Sequence, residues 1–158
     1  MALIAVAAGG ENQIIVAPGA NAAFTRDHLT APAAPLPPQT LARADLIVVN
    51  ETEAAFYGTA LHDLPGLVAV TWGARGAGLF RGGRQLAAAA PPTVEAIDAT
   101  GAGDAFVAAL TLALLEGRPH EAALAFACAA GALAATRPGA QPSLPTRAEV
   151  EARLESAP

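Results

Sequence analysis

Two long helices are predicted in the C-terminal half of the sequence, and no other feature limits the fold as strongly. The first covers 102–115 and ends at Gly117, the residue type that most often follows a helix C-terminus. The second begins near Pro119, because proline suits the first turn of a helix, and it runs to about Thr136. Alanine supplies much of the apolar content of the chain, which favours closely packed helices over large pockets.

Short β-rich segments precede these helices. Residues 3–6 and 13–16 are separated by Gly-Gly-Glu-Asn, which predicts a hairpin. Two apolar segments, 45–50 and 67–71, predict buried strands. The remaining predicted elements are strands at 76–80 and 84–88 paired around Gly82-Gly83, a short helix at 51–57 that stops at Gly58, and an amphipathic helix at 147–154. This order of strands and helices predicts a layered α/β domain.

The charge and cysteine content limit the expected partners and setting. The net charge is -5, and the 9 basic residues are all arginines scattered along the chain, so we expect no nucleic-acid partner. Cys128 is the single cysteine, which excludes an internal disulfide and favours a reducing, cytoplasmic location. The longest uncharged apolar stretch, 122–135, is shorter than the ~20 residues that span a bilayer, so we expect no membrane partner.

A glycine-rich segment directly precedes the first long helix and is the most informative part of the sequence for function. Gly101 and Gly103 allow the backbone to approach a ligand and to adopt unusual dihedral angles. The N–H groups at the start of a helix have no intrahelical partner, and the helix dipole adds positive potential there. The segment therefore predicts a phosphate-binding site.

Asp104 lies in the first turn of the same predicted helix. A carboxylate that faces a bound phosphate is repelled unless it has a chemical task, and the removal of a proton from an attacking alcohol is such a task. The alternative is local, because acidic residues are common in first turns, where they suit the helix dipole and cap free N–H groups. The spacing alone leaves both interpretations open.

Residues 98–104 read Asp-Ala-Thr-Gly-Ala-Gly-Asp, and three further motifs accompany them in order along the chain. These motifs are Asn50-x-x-Glu53, Thr71-x-Gly73-x-x-Gly76 and Thr136-Arg137-x-Gly139-Ala140. Together the four motifs resemble those of the ribokinase-like (PfkB-type) carbohydrate kinases, with Ala99 standing where threonine is usual. The resemblance covers nearly the whole chain, from Ala2 to about Leu154, and implies a ribokinase-like layered α/β/α domain.

The resemblance implies roles for the residues around the glycines. Asp104 would be the base that activates the sugar hydroxyl. The anion hole over the γ-phosphate of ATP would be formed by the backbone of Thr100, Gly101, Ala102 and Gly103.

The resemblance also implies a nucleotide site at the ends of two strands. Asn50 and Glu53 would help to hold the Mg²⁺–phosphate group, largely through water, and Thr71, Gly73 and Gly76 would line the ATP site. Each has a local alternative: Asn50 and Glu53 have the spacing of a capping box, and 71–76 has the pattern of a plain strand-end turn.

Cys128 stands where the family would place an asparagine that contacts adenine, so it is a candidate nucleotide contact. The alternative is that Cys128 is a small core residue. The three histidines, His28, His62 and His120, lie apart without metal-like spacing, and we assign them to the surface.

Many members of the family bind a monovalent cation beside the anion hole. The matching positions here, mostly through carbonyl oxygens, are Asp98, Thr100, Ala134, Arg137, Gly139 and Ser143. Oxygen ligands suit a hard cation such as K⁺. The alternative for Arg137 is a cationic residue that interacts with the C-terminal end of a helix.

The resemblance also implies what is absent, because members of the family are about twice as long and carry sugar-binding residues and a β-sheet lid in their N-terminal half. We expect 1–158 to be a single kinase-domain fragment, the C-terminal nucleotide-binding half, with an incomplete sheet. Open sheet edges tend to pair with other chains, so a second copy or a complementary half is an expected partner beside sugar and nucleotide.

Ribose is the favoured sugar, because 19–21 and 139–143 look most like ribokinase. We expect the chain alone to phosphorylate sugar poorly or not at all. The competing hypotheses are a module that binds nucleotide without turnover and a structural remnant that does neither.

Overall fold

The computed structural model describes residues 2–6, 12–16 and 38–156, the first two ranges as backbone. Strands β1 (Ala2–Val6) and β2 (Asn12–Val16) pair antiparallel, which confirms the predicted hairpin. The next elements along the chain are α1 (Pro38–Leu41), β3 (Leu46–Asn50), α2 (Glu51–Tyr57) and a 3-10 turn at Gly58–Leu61. Helix α1 is a single turn, too short to give a periodic signal in the sequence.

A four-stranded sheet forms the centre of the described chain, in the order β3-β4-β5-β6. Strands β4 (Leu67–Thr71), β5 (Ala77–Arg81) and β6 (Arg84–Ala89) lie where the sequence predicted them. Strands β3 and β4 are parallel, and the other two pairs are antiparallel. Among the described residues β3 is an edge strand, so the sheet is open there, as expected from an incomplete sheet.

Three helices share a core with this sheet. They are α3 (Ala102–Leu115), α4 (His120–Ala134) and α5 (Arg147–Glu155). Helix α4 packs against β5 and β6, and the other two pack against α4. Helices α3 and α4 approach closely because Gly131 faces Ala102: a methyl group at Gly131 would lie 3.1 Å from the Ala102 carbonyl oxygen. The small residues thus allow the close helix packing that the alanine content favoured.

A smaller apolar cluster lies against strands β3 and β4 and includes the first two helical segments. Leu41 of α1 and Leu61 of the 3-10 turn pack with Val49 and Val68, and Ala54 of α2 contacts the same cluster. This second layer completes the α/β arrangement that the sequence predicted. No helix in the described parts of the chain is both long enough and apolar enough to cross a membrane.

Helix α4 ends two residues before the predicted end. At its C-terminus the carbonyl of Ala135 accepts hydrogen bonds from the N–H groups of Ile97 (2.8 Å) and Asp98 (3.1 Å). These contacts join the end of α4 to the segment before α3, and a helical period in the sequence carries no information about them. The early end of α4 therefore positions the glycine-rich segment.

Candidate active site

The start of helix α3 presents an open stretch of backbone. Gly101 precedes the helix with φ 81 and ψ -6, a left-handed conformation that glycine adopts readily. The N–H of Ala102 donates to the carbonyl of Ala99 (3.1 Å), which closes a tight turn before the helix. A methyl group at Gly103 would meet no atom within 4 Å, and Asp104 beside it is exposed. The site therefore has free space at the end of a helix where N–H groups and positive potential attract anions.

Asp98 fixes this segment to a turn far along the chain. Its side chain is only 6% exposed. One carboxylate oxygen accepts a hydrogen bond from the Thr100 N–H (2.9 Å), and the other accepts one from the Gly139 N–H (2.8 Å). The Thr100 hydroxyl and the backbone N–H groups of Gly139 and Thr100 hold the pKa of Asp98 below its ordinary value. The ionised carboxylate thus joins the start of α3 to the segment after α4.

The turn at 137–143 lies directly against Gly101. A methyl group on Gly101 would be 3.1 Å from the Ala140 Cα, so only glycine fits without a shift. Ser143 is fully buried and donates its hydroxyl hydrogen to the Ala140 carbonyl (2.7 Å). Gly139, with φ 83, allows the chain to reverse here. Asp98 on one side and the 139–143 turn on the other therefore hold the backbone around Gly101.

These contacts gather the residues named as the monovalent-cation site. Four of these residues lie around one turn: Asp98, Thr100, Gly139 and Ser143. At the end of α4, the Ala134 carbonyl accepts a hydrogen bond from the Arg137 N–H (3.3 Å). Carboxylate, hydroxyl and carbonyl oxygens suit a hard cation. A carboxylate has about four acceptor positions, and the three donors on Asp98 leave space for one further contact. The donor set fits K⁺.

A second group of residues lies where strands β3 and β4 end. Asn50 and Thr71 are neighbours in the parallel register. The Asn50 Oδ1 accepts from the Glu53 N–H (2.9 Å), and the Glu53 Oε2 accepts from the Asn50 N–H (2.8 Å). This is the capping box that the local alternative predicted. Both side chains are exposed, so they remain accessible to water and to a hydrated cation.

The turn after β4 is shaped by two glycines. Gly73 begins a 3-10 turn with φ 57, and Gly76 ends it with φ 98. The N–H of Trp72 donates to the Gly76 carbonyl (2.8 Å), which closes the turn. Arg75 forms an ion pair with Glu51 at the start of α2 (2.6 Å). The sequence gives no sign of this pair, because the two residues are 24 positions apart and no motif links them.

Cys128 lies in the core of the domain. Its Sγ is 3.6 Å from the Ala89 carbonyl oxygen, and it also contacts the backbone of Ala77, next to Gly76. The structure thus places the thiol where the core-residue alternative put it, close to the turn that ends at Gly76. The Ala135 carbonyl, which binds the Asp98 N–H, follows Cys128 by seven residues. Seven residues correspond to about 10 Å along an α-helix. Helix α4 therefore sets the distance between the two groups of site residues.

Burial raises the pKa of Cys128 from its ordinary value of 9.0 to about 11. The folded chain therefore favours the protonated thiol, and the unfolded chain loses its proton first as pH rises. We expect the stability contribution of this thiol to be complete below about pH 9 and to be lost between about pH 9 and pH 11. Urea unfolding across this range, compared with Cys128→Ala, measures the difference. An identical pH dependence of the two chains would contradict it.

Comparison with known proteins identifies the family. The model of the pfkB family carbohydrate kinases matches residues 29–147. The chain belongs to this family. It is 40% identical to the ribokinase of Bacillus subtilis over 130 residues, which cover 78% of this chain and 44% of that protein.

Two solved structures show the same fold over most of the chain. The ribokinase of Arabidopsis thaliana, complexed with ribose and ATP, has a TM-score of 0.67 and 32% identity, and the match covers 78% of this chain and 45% of that one. A double mutant of the Vibrio cholerae fructokinase, bound to fructose, ADP and potassium ion, has a TM-score of 0.62 and 33% identity. That match covers 73% of this chain and 42% of the fructokinase. The chain thus spans less than half the length of these relatives.

Proposed function

We propose that this chain is the nucleotide-binding and catalytic part of an ATP-dependent sugar kinase, with Asp104 as the general base and ribose as the favoured sugar. The observation that carries the proposal is the start of α3. There an exposed carboxylate, an open Gly103 and a left-handed Gly101 lie together, and Asp98 holds the segment in place. Ribokinase and fructokinase relatives support a sugar as the phosphate acceptor.

In the proposed reaction a sugar hydroxyl oxygen attacks the γ-phosphorus of ATP. The new O–P bond forms as the bond from the γ-phosphorus to the β,γ-bridging oxygen breaks, and ADP leaves with that electron pair. The carboxylate of Asp104 takes the hydroxyl proton. The Ala102 N–H is already bound to the Ala99 carbonyl (3.1 Å), so the backbone N–H groups of Gly101 and Gly103 would stabilise negative charge on the transferring group. This is where phosphoryl transfer gains most from a protein.

Two cations would complete this site. Mg²⁺ bound to the nucleotide would neutralise phosphate charge, and the exposed oxygens of Asn50 and Glu53 would hold its water ligands. K⁺ would lie among Asp98, Thr100 and the carbonyl oxygens of 134–143, and the potassium-bound fructokinase supports this assignment. A monovalent cation there would hold the turn against the anion hole and so favour nucleotide binding.

The chain covers only 44% of the Bacillus subtilis ribokinase. This partial coverage favours one alternative, a chain that binds nucleotide without turnover. The kinase and this alternative share the same nucleotide site. They differ in sugar-dependent release of ADP by the wild-type chain, which only the kinase would show.

We expect the chain to bind Mg-ATP, more tightly in KCl than in NaCl of the same ionic strength. Gly103→Ala is the most informative variant, because its methyl group contacts no protein atom and would enter the space left for phosphate. Alanine in place of a helical glycine stabilises the fold by about 0.5–1 kcal/mol. The variant should therefore melt at a higher temperature and bind Mg-ATP more weakly.

Calorimetry and thermal unfolding measure the two quantities on the same samples. The absence of binding heat and of a thermal shift at millimolar Mg-ATP would refute the nucleotide site. Unchanged affinity in Gly103→Ala would place the phosphate elsewhere, and equal effects of K⁺ and Na⁺ would remove the cation from the proposal.

A further inference from the structure

Glu149 is one carboxylate with partners in two different segments. It is the third residue of helix α5, and its Oε2 accepts hydrogen bonds from the Thr146 N–H (2.7 Å) and the Thr146 hydroxyl (2.8 Å). Its other oxygen, Oε1, accepts a short hydrogen bond from Nη2 of Arg137. The spacing of Thr146 and Glu149 is that of a capping box, so the sequence could have indicated the first contact. It gives no sign of the second.

Arg137 begins the turn that lies against the anion-binding segment. Two residues further on, the Gly139 N–H is bound by Asp98 (2.8 Å), and Ala140 is in contact distance of Gly101. The Arg137 side chain is about 40% exposed and has Glu149 as its ion-pair partner. The contact with Glu149 therefore fixes the entry of this turn, as Asp98 fixes its middle.

Helix α5 is held in place by contacts that do not involve Glu149. Val150 is buried in the core. Glu151 pairs with Arg118 (3.1 Å), and Arg147 pairs with Glu116 at the end of α3. The helix is therefore a fixed support, and a change confined to Glu149 releases Arg137 without releasing the helix.

We propose that Glu149 is a positioning residue for the anion hole: through Arg137 it holds the 137–143 turn against Gly101. This inference rests on the proposed function, since it assigns the start of α3 to the γ-phosphate. Glu149 does not touch substrate and is not a catalytic residue.

Glu149→Gln tests the proposal with little damage to the helix, because glutamine also serves as the third residue of a capping box. The matched control is Glu151→Gln, which removes the ion pairs with Arg118 and Arg147 from the same helix, away from the turn. Dissociation constants for Mg-ADP and for a non-hydrolysable Mg-ATP analogue are measured by calorimetry on the full chain in KCl.

We expect Glu149→Gln to weaken the ATP analogue about two- to fivefold, the size that a part-exposed ion pair supplies, and to leave Mg-ADP nearly unchanged. The ratio of the two constants is the decisive readout, because a purely structural role alters both constants together or only the melting temperature. Glu151→Gln should leave the ratio at the wild-type value.

An unchanged ratio in Glu149→Gln, or an equal change in Glu151→Gln, would overturn the inference while the proposed function stands. Wild-type chain that binds neither nucleotide would overturn both. If Glu149→Gln does not fold, Arg137→Gln removes the same ion pair from the other side, and its ratio decides the matter by the same criterion.

Discussion

Gly76→Ala is expected to lower the melting temperature of the chain by about 6–12 °C. Gly76 has φ 98 and ψ -149, a region that is essentially restricted to glycine and costs other residues about 1–3 kcal/mol. A methyl group there would also lie 2.1 Å from the Ala89 carbonyl oxygen. Overpacking of this kind costs a further ~1–3 kcal/mol. A combined loss of about 3 kcal/mol corresponds to the stated shift in a chain of this size.

The matched control is Gly73→Ala in the same turn. Gly73 has φ 57, but a methyl group on it would meet no atom within 4 Å. The left-handed conformation alone costs about 1–2 kcal/mol, so this variant should lose only part of what Gly76→Ala loses. Thermal unfolding followed by circular dichroism compares the two. Equal losses would mean that the contact with Ala89 contributes nothing.

The difference between these two glycines illustrates what the sequence does and does not predict. Both stand in the Thr71-x-Gly73-x-x-Gly76 motif, and the motif predicts a turn after a strand, which the structure confirms. Of the two glycines, only Gly76 faces another strand. The pairing of β5 with β6 places Ala89 beside Gly76. Local chemistry gives the turn, and tertiary packing decides which glycine is essential.

The elements of the fold also differ in this way: some follow from local sequence, and others depend on tertiary packing. Strands β3 and β4 were predicted because each is a short apolar segment bounded by polar residues, a signal contained within a few positions. The end of α4 lies two residues before the predicted one, and there the Ala135 carbonyl accepts hydrogen bonds from the N–H groups of Ile97 and Asp98. Contacts of that kind depend on how elements pack.

At the candidate site the motifs named candidate residues but not the partners that the structure gives them. Asp98 was assigned to a cation, and the structure adds that its carboxylate binds the Gly139 N–H, 41 positions away. Asn50 and Glu53 form the capping box that their spacing allows, which leaves their contact with Mg²⁺ a prediction. Glu149 belongs to none of the four motifs, and its contact with Arg137 is seen only in the fold.

In a complete active site, Asp104→Asn is expected to lower sugar-dependent release of ADP by about 10²–10⁴-fold, the usual cost of removing a general base. The amide is nearly the size of the carboxylate and still accepts a hydrogen bond at a helix start, but it cannot take the hydroxyl proton. Because Asp104 is exposed in the first turn of α3, its replacement leaves the core untouched. The affinity for Mg-ATP should therefore stay within about twofold of wild type, since the backbone N–H groups of Gly101 and Gly103 would bind the phosphate.

Glu121→Gln is the matched control, because Glu121 is the exposed first-turn carboxylate of α4 and has no assigned role in the chemistry. ADP release is measured with ribose and Mg-ATP in KCl, and melting temperatures are recorded for all three chains. A base at position 104 predicts lost turnover at an unchanged melting temperature in Asp104→Asn alone. A helix cap at position 104 predicts the reverse, a lower melting temperature with turnover reduced only as far as folding is. Wild-type chain that binds Mg-ATP but releases no ADP with sugar would instead establish the alternative of a nucleotide-binding chain without turnover.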